Sequence, residues 1–350
     1  KLRCFISLLV SQKFDKTNVT EKNMYKNFGI RPLPNLETNF VSADSLIKIE
    51  KDQAQQELFS KLIANTRTEL LDIRHKLFRA KTQITKENHR SKLKDKYLEF
   101  IEKLKDYNII PIKELEILKS WEMFNYSKSA PFFDSLLMLG VENFNIVIGN
   151  PPYARLRKNQ AQSNIYNNLN FKTFTKDTDI YCLFYERGIE LLKENGILCY
   201  ITSKQWMRSV YGRPLRQILS KYNPLKLIDL GSGVFTSATV DTNILLIQKN
   251  ENINNTNTIK CSELTNNTNL SDIKFIELSM PTNGNSWIIL SKQAKEIKSK
   301  VEKQGEPLNK WNININIGVI TGLNEVKEGK EKRGVFIINE KERNNILKNC

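Results

Sequence analysis

The sequence predicts an α/β fold, with a mostly parallel sheet covered by helices on both faces. Between about residues 132 and 249, short apolar strand patterns alternate with amphipathic helix patterns, which is the order that parallel sheets require. A second feature is the stretch from Asn35 to Ile110, which contains neither Gly nor Pro and repeats apolar residues at helical spacing. Together these features predict a sheet domain with a long helical insertion.

The alternating part of the chain predicts four strands and two helices. The strands are NIVIG, ILCYITS, LKLIDL and TNILLIQK, and the helices are DIYCLFYERGIELLKEN and GRPLRQILSKY. Gly196 follows the first helix, where a glycine commonly ends the last turn. A further short strand, FVSAD, precedes the insertion and ends at Asp44. The Asn-rich stretch NENINNTNTIKCSELTNNTN after the last strand predicts an exposed linker.

The insertion predicts an antiparallel helical hairpin. Two apolar series keep helical spacing, and the polar segment TKENHRSK separates them. The series consist of Leu70, Ile73 and Leu77, and of Leu93, Tyr97, Phe100 and Leu104.

The composition favours an anionic partner and argues against several kinds of site. The net charge of +16 indicates nucleic acid, although lysine-rich surfaces encoded by an AT-rich genome would give the same excess. The five cysteines include no C-x-x-C pair, and the only two histidines, His75 and His89, lie in a charged helical stretch. These observations predict no metal, a reducing compartment and a cytoplasmic location. No apolar run approaches the ~20 residues of a membrane span.

The candidate site follows the apolar strand NIVIG. Asn150, Pro151, Pro152 and Tyr153 come directly after it, and ligands of open α/β sheets bind outside the carboxyl ends of strands. The Asn150 side-chain oxygen and the proline carbonyls accept hydrogen bonds, whereas the proline nitrogens offer no donor. Tyr153 adds a flat ring for stacking. The set predicts a site for an exocyclic amine on an aromatic ring, adenine or cytosine, rather than an ordinary strand-ending turn.

The segment NPPY after an apolar strand resembles the catalytic motif of the adenine-N6 DNA methyltransferases. LPNLETNFVSADSL is similar to the family segment that ends in a cofactor-binding acidic residue, here Asp44. TDIYCLFYERGIELLKENGILCYITSKQWM resembles the next helix–strand unit, with Phe184 at the position that packs on the cofactor's adenine. FTSATVDTNILLIQK is similar to the strand beside the target-base pocket, and GVITGLNEVKEGKEKRGVFIINE to the opening of a target-recognition domain.

The resemblance implies a partial Rossmann-like methyltransferase sheet, S-adenosylmethionine as cofactor and double-stranded DNA with a flipped adenine as partner. The helical insertion is typical of the type IIG restriction-modification branch. The implied parts are an N-terminal part of the core (1–46), the helical-hairpin insertion (47–118), the catalytic core (119–250), and a connector with a partial recognition domain (251–350). Asn150, Pro151, Pro152 and Tyr153 are the implied catalytic residues, and Asp44 and Phe184 the implied cofactor-binding residues.

Three features depart from the family pattern. Ser45 and Ile247 stand where the family has aromatic residues, so neither is expected to belong to the site. The Gly-rich segment LIDLGSGVF resembles a cofactor turn, but a β-branched strand follows it instead of a helix. We therefore interpret its glycines as loop residues and expect the cofactor turn upstream of Lys1, in the same protein or in a split partner.

Two alternatives stay open at the level of sequence. A protein-glutamine methyltransferase uses a similar Asn-Pro-Pro-Tyr site on a side-chain amide, although the helical insertion and the C-terminal segment count against it. A non-catalytic DNA-binding subunit would retain the charge without binding the cofactor.

Overall fold

The computed structural model describes residues 6–8, 10–13, 35–49, 56–158, 160–231, 240–251, 258–263, 273–290, 292–307, 310–311, 325–328 and 331–334. The chain divides into two compact units, Lys1–Ile289 and Leu290–Cys350. The predicted boundaries at residues 46, 118 and 250 stay predictions.

A six-stranded mixed sheet forms the centre of the first unit, in the order β1-β2-β4-β3-β5-β6. Four strands share one direction, whereas β4 and β6 run antiparallel to their neighbours. Residues 232–241 connect β3 to β4, and this stretch is shorter than the crossover that a parallel pair requires. The strands are β1 (Phe144–Gly149), β2 (Leu192–Ser203), β3 (Tyr222–Gly231), β4 (Thr242–Glu251), β5 (Thr258–Glu263) and β6 (Ile276–Ser279).

Seven helices of the first unit are described, and two of them cover one face of the sheet. The helices are α1 (Gln56–Arg79), α2 (Gln83–Asp106), α3 (Ile112–Lys119), α4 (Ser135–Leu139), α5 (Gln160–Asn167), α6 (Tyr181–Glu190) and α7 (Arg213–Leu219). Residues of α6 and α7 form one buried cluster with Leu198, Leu227 and Leu245 of the central strands. On the opposite face of β1, the side chains of Ile146 and Ile148, which alternate with Val147, are 63% and 76% exposed. The α/β class is therefore confirmed, but the expectation of a mostly parallel sheet is wrong, because three of the five strand pairings are antiparallel.

The helical hairpin is also confirmed, but its turn lies at residues 80–82, and the segment TKENHRSK that was expected to separate the helices lies within α2. Helices α1 and α2 pack antiparallel, and Thr82 begins α2 with a capping box to Thr85. The inner end of α2 buries Tyr97, Phe100 and Leu104 in a cluster that also contains Phe132. Apolar residues at helical spacing thus produce the long insertion, and its inner end is part of a core.

Three local expectations are wrong. FVSAD is not a sheet strand, because among the described pairings Ala43 forms a single bridge with Ala130. Helix α6 ends at Glu190 rather than before Gly196, and Asn195 adopts the left-handed conformation (φ 63°) that asparagine tolerates. The Asn-rich stretch is not an exposed linker throughout, since Thr258–Glu263 forms β5 beside β3 and buries Ile259.

The second unit contains a helix and a two-stranded sheet. Helix α8 spans Lys292–Gln304, and β7 (Glu325–Glu328) pairs antiparallel with β8 (Glu331–Gly334). Most of the segment that resembles a recognition domain lies outside the described residues. A search of the described helices finds none that is long and apolar enough to cross a membrane.

The fold predicts that Arg74 contributes strongly to stability. Its Nη2 donates to the carbonyls of Leu137 and Met138, both at 2.8 Å, and burial lowers its pKa to about 10, so the charge persists at neutral pH. Arg74→Met should lower the free energy of unfolding by roughly 2 kcal/mol, because hydrogen bonds from a charged group are lost and two buried carbonyls stay unpaired. Urea unfolding measures this change.

Lys76→Gln is the matched control for Arg74→Met. Lys76 lies on the solvent-exposed side of α1, where it forms an i,i+4 ion pair with Asp72. Such pairs contribute about 0.3–0.5 kcal/mol. Equal unfolding midpoints for the two variants would contradict the role given to Arg74.

Candidate active site

The segment Asn150–Tyr153 lies at the carboxyl ends of the parallel strands β1 and β2. Gly149 pairs with Tyr200, and a Cβ at Gly149 would lie 3.1 Å from Tyr200 Cε1. Glycine therefore lets the strand end close to this aromatic ring. The placement agrees with the general position of ligand sites in open α/β sheets.

A cavity of about 490 Å³ opens beside the end of β1. Its volume is in the range of small-molecule and cofactor sites. Most of its lining is apolar, and among the residues that line it are Ser45, Asn150, Pro151, Pro152 and Phe184. The structure thus brings four of the six predicted site residues to one cavity, whereas Asp44 and Tyr153 do not line it.

Asp44 lies next to this cavity through its neighbour Ser45. One Asp44 carboxylate oxygen accepts from the Leu46 N–H at 3.0 Å, and the other accepts from the Tyr166 hydroxyl at 3.4 Å. The pKa of Tyr166 is raised, first by burial and then by the Asp44 charge. The carbonyl of Ser45 accepts from Arg187 Nε at 2.9 Å, which fixes the backbone at the edge of the cavity.

Tyr153 is half-buried, and its ring position is determined by β2 and α6. Its hydroxyl donates to the Ile201 carbonyl at 3.2 Å. The ring meets Tyr181 edge to face, with centroids 6.2 Å apart and an interplanar angle of 88°. Burial raises the pKa of Tyr153, so the phenol stays protonated at neutral pH.

A polar network behind Tyr153 was missed in the sequence. The buried Asp179 carboxylate accepts from the Tyr211 hydroxyl at 2.6 Å and lies 3.8 Å from Arg155 Nε. The Tyr211 hydroxyl is also 3.1 Å from that of Tyr181, which contacts Tyr153. Asp179 is the first residue of the helix predicted from the sequence, but no sequence pattern connects it with Tyr211.

A second cavity, of about 650 Å³, lies between the ends of β2, β3 and β4. Lys204 contacts Asp229 and Asp241 there, with 3.1 Å between Nζ and Oδ2 in both cases. Asp229 Oδ1 also accepts from the Gly231 N–H at 2.9 Å. These contacts join the start of the β3–β4 connection to its end.

Of the positions that depart from the family pattern, Ser45 lines the cavity at the end of β1, contrary to the expectation that it lies outside the site. Gly231 ends β3 with a positive φ of 68°, and the antiparallel partner β4 follows, as expected for a loop between strands. Gly233 lies outside the described residues. Ile247 is 1% exposed within β4, so its side chain belongs to the core and offers no surface on which a base could stack.

The network predicts that Tyr211→Phe destabilises the chain. The change removes the hydroxyl that donates to the buried Asp179 carboxylate, which should cost roughly 1.5–3 kcal/mol because a charged acceptor loses its partner. Urea unfolding compares this variant with Tyr200→Phe, whose hydroxyl has no hydrogen-bond partner among the described residues. Equal losses in both variants would show that the Asp179 contact adds nothing.

Comparison with known proteins identifies the family of this chain. The family model described as Eco57I restriction-modification methylase matches residues 1–235. The chain is 32% identical over 206 residues to the type II restriction enzyme and methyltransferase RM.Eco57I of Escherichia coli, over 55% of this chain and 20% of that protein. It is 25% identical over 137 residues to the adenine-specific methyltransferase PglX of Lacticaseibacillus casei, over 38% of this chain and 11% of that protein.

A solved structure, the type I restriction-modification system methyltransferase subunit from Streptococcus thermophilus, overlaps more loosely. The TM-score is 0.29 at 16% identity, and the overlap covers 56% of this chain and 40% of that one. A likeness of this degree does not locate individual residues. The family model, in contrast, matches about two thirds of the sequence. The chain belongs to the Eco57I restriction-modification methylase family.

Proposed function

We propose that this chain is the catalytic part of a DNA methyltransferase that transfers a methyl group from S-adenosylmethionine to N6 of adenine, within a restriction-modification system of type IIG. The observation that carries the proposal is the cavity at the end of β1, which Asn150, Pro151 and Phe184 line together. The E. coli relative is named as both a restriction enzyme and a methyltransferase, and the L. casei relative as adenine-specific. Such an enzyme acts on DNA in the cytoplasm.

Asn150 and Pro151 suit a planar amino group. The Asn150 side-chain oxygen and the Pro151 carbonyl each accept one hydrogen bond, and an adenine amino group donates two. Holding both N–H groups would localise the lone pair on the nitrogen instead of in the ring. The held nitrogen would then present this lone pair to the methyl group that the cofactor supplies, and one amino proton would be lost after transfer. Positioning supplies much of the acceleration, since the attacking nitrogen is neutral.

Tyr153 supplies the stacking face for the flipped adenine. Its hydroxyl donates to the Ile201 carbonyl and its ring forms a T-shaped contact with Tyr181, so the ring is held before a base arrives. Flipping costs a few kcal/mol of unstacking, and a preformed aromatic face offsets part of this cost. Ile247 is buried, so Tyr153 is the aromatic face that we assign to the base.

The apolar cavity fits the adenosyl end of the cofactor. S-adenosylmethionine, when bound, supplies an electrophilic methyl group. Phe184 would contact its adenine ring in the cavity, and Asp44, beside the cavity, would accept from a polar group of the cofactor. Asp44 would have to give up its weak 3.4 Å contact with Tyr166 to do so.

We further propose that methyl transfer needs an upstream polypeptide that contributes the remaining cofactor contacts. Strand β1 is at one edge of the described sheet and pairs with β2 alone. Its Ile146 and Ile148 are 63% and 76% exposed, although a strand beside a cofactor site normally has neighbours on both sides. A polypeptide that pairs with this edge of β1 and also packs a helix on the exposed face would cover both residues and complete the cavity.

The proposal predicts that Asn150→Ala abolishes methyl transfer. In the presence of the upstream polypeptide, the rate on adenine-containing duplex DNA should fall by roughly 10²-fold or more, because one of two hydrogen bonds to the reacting amino group is lost. Transfer of labelled methyl groups measures the rate. Asn143→Ala is the matched control, since Asn143 lies before β1 and donates to the Glu190 carbonyl at 3.3 Å. Transfer by Asn150→Ala at the control rate would reject the assignment.

Cofactor binding gives an independent prediction. The chain alone should bind S-adenosylmethionine weakly, and with the upstream polypeptide Asp44→Ala should weaken binding roughly 10–100-fold, as expected for a hydrogen bond to a charged group. Calorimetry measures both values. Asp229→Ala should have little effect, because Asp229 contacts Lys204 instead. Micromolar binding by the chain alone, lost in Asp229→Ala but retained in Asp44→Ala, would instead assign the cofactor to the LIDLGSGVF turn.

A further inference from the structure

The outer half of the helical hairpin, defined here as residues 76–94, carries five cations that form no salt bridge with a described residue. Its cations outside ion pairs are Arg79, Lys81, Lys86, Lys92 and Lys94. None of the five forms a salt bridge with a described residue, although Lys76 pairs with Asp72 and Arg90 with Glu37. The acidic residue within this half is Glu87, which accepts from Gln83 Nε2 at 2.7 Å.

The inner half, defined as residues 96–119, is different. Four of its five lysines, all except Lys113, form ion pairs with glutamates on α1 and α2: Lys96 with Glu69 and Glu99, Lys103 with Glu99, and Lys105 and Lys119 with Glu102. Both halves are rich in lysine, so composition alone does not explain the contrast. Unpaired like charges on neighbouring turns repel one another. An external anion would remove that repulsion from the outer half.

The tip of the hairpin is also concave. A cavity of about 560 Å³ is lined by Arg79, Lys81, Thr82 and both histidines of the chain, His75 and His89. Every ionisable side chain in its lining is basic except Asp72, and that carboxylate pairs with Lys76. The Nδ1 atom of His89 is buried without a hydrogen-bond partner in the described structure.

The outer half is fixed to the rest of the first unit. Asn35 Nδ2 donates to the carbonyls of Leu77 at 2.7 Å and Ala80 at 2.9 Å. Glu37, which is 6% exposed, forms an ion pair with Arg90 of α2. The cations therefore sit on a rigid support and have a defined position relative to the sheet.

We propose that the outer half of the hairpin binds the phosphates of duplex DNA, as a surface additional to the cavity at the end of β1. Helix α2 advances about 16 Å from Gln83 to Lys94, and DNA carries one charge per ~1.7 Å of axis. A single small anion would reach only part of the charge on the outer half, whereas a duplex backbone offers several phosphates over such a length. This inference rests on the proposed function, because it takes DNA as the partner.

The salt dependence of DNA binding by the full chain tests this inference. We compare the wild type with an outer triple variant, Lys86→Gln, Lys92→Gln and Lys94→Gln, and with an inner triple variant, Lys103→Gln, Lys105→Gln and Lys119→Gln. Both variants lose three positive charges, so a nonspecific effect of net charge is equal in the two. Fluorescence anisotropy with a duplex of about 25 base pairs gives the dissociation constant at each salt concentration.

The outer variant should show a slope of log K against log[salt] that is shallower by about 2–3, since each phosphate contact contributes about 0.9. The inner variant should keep the wild-type slope. Equal slopes for the two variants would overturn the inference, and an acidic protein partner would then become the better candidate. Absence of DNA binding by the wild type would reject the proposed function as well. Matching urea midpoints show that the variants are folded.

Discussion

The parallel pairing of β1 with β2 is the constraint on which the candidate site depends. It brings the end of the NIVIG strand level with Tyr200, next to the face covered by α6, so that Asn150 and Phe184 reach one cavity from different elements. A shift of one residue in this register would exchange the faces of the strand. Ile148 would then point at the covering helix, and the segment after β1 would no longer begin beside the cavity.

Buried arginines hold the irregular segments around this sheet. Arg74 donates to carbonyls at the end of α4, and Arg187 donates to the carbonyls of Ser45 and Phe133. Arg216 likewise donates to the carbonyls of Gly284 and Ser209. Burial lowers the pKa of all three guanidinium groups. The cost of desolvating each charge is offset by backbone acceptors in segments that lack sheet or helix partners.

Sequence reasoning was successful where a local pattern encodes the structure. The hairpin follows from apolar spacing, and the position of Asn150 follows from an apolar strand that ends in polar and ring residues. It failed where tertiary contacts decide. FVSAD has a strand-like composition, yet the described structure gives it a single bridge to Ala130. Asn-rich flanks concealed β5, which pairs with β3 and contributes Ile259 and Cys261 to the core of the sheet. The contact between Asp179 and Tyr211 joins residues on separate elements, and no pattern in one sequence reveals it.

Within the described sheet, β1 has no partner on its outer side, and this free edge has a further consequence. Exposed isoleucines beside unpaired backbone groups are the features through which strands of separate molecules associate. A polypeptide that pairs with this edge would complete the cavity in the same step, so that assembly and ligand binding are thermodynamically linked. A ligand that binds only the completed cavity would then stabilise the complex with that polypeptide. As the ligand concentration rises, this complex would be favoured over pairing of β1 with a second copy of the chain. Ligand binding beside Asn150 would therefore depend on whether the partner of β1 is present.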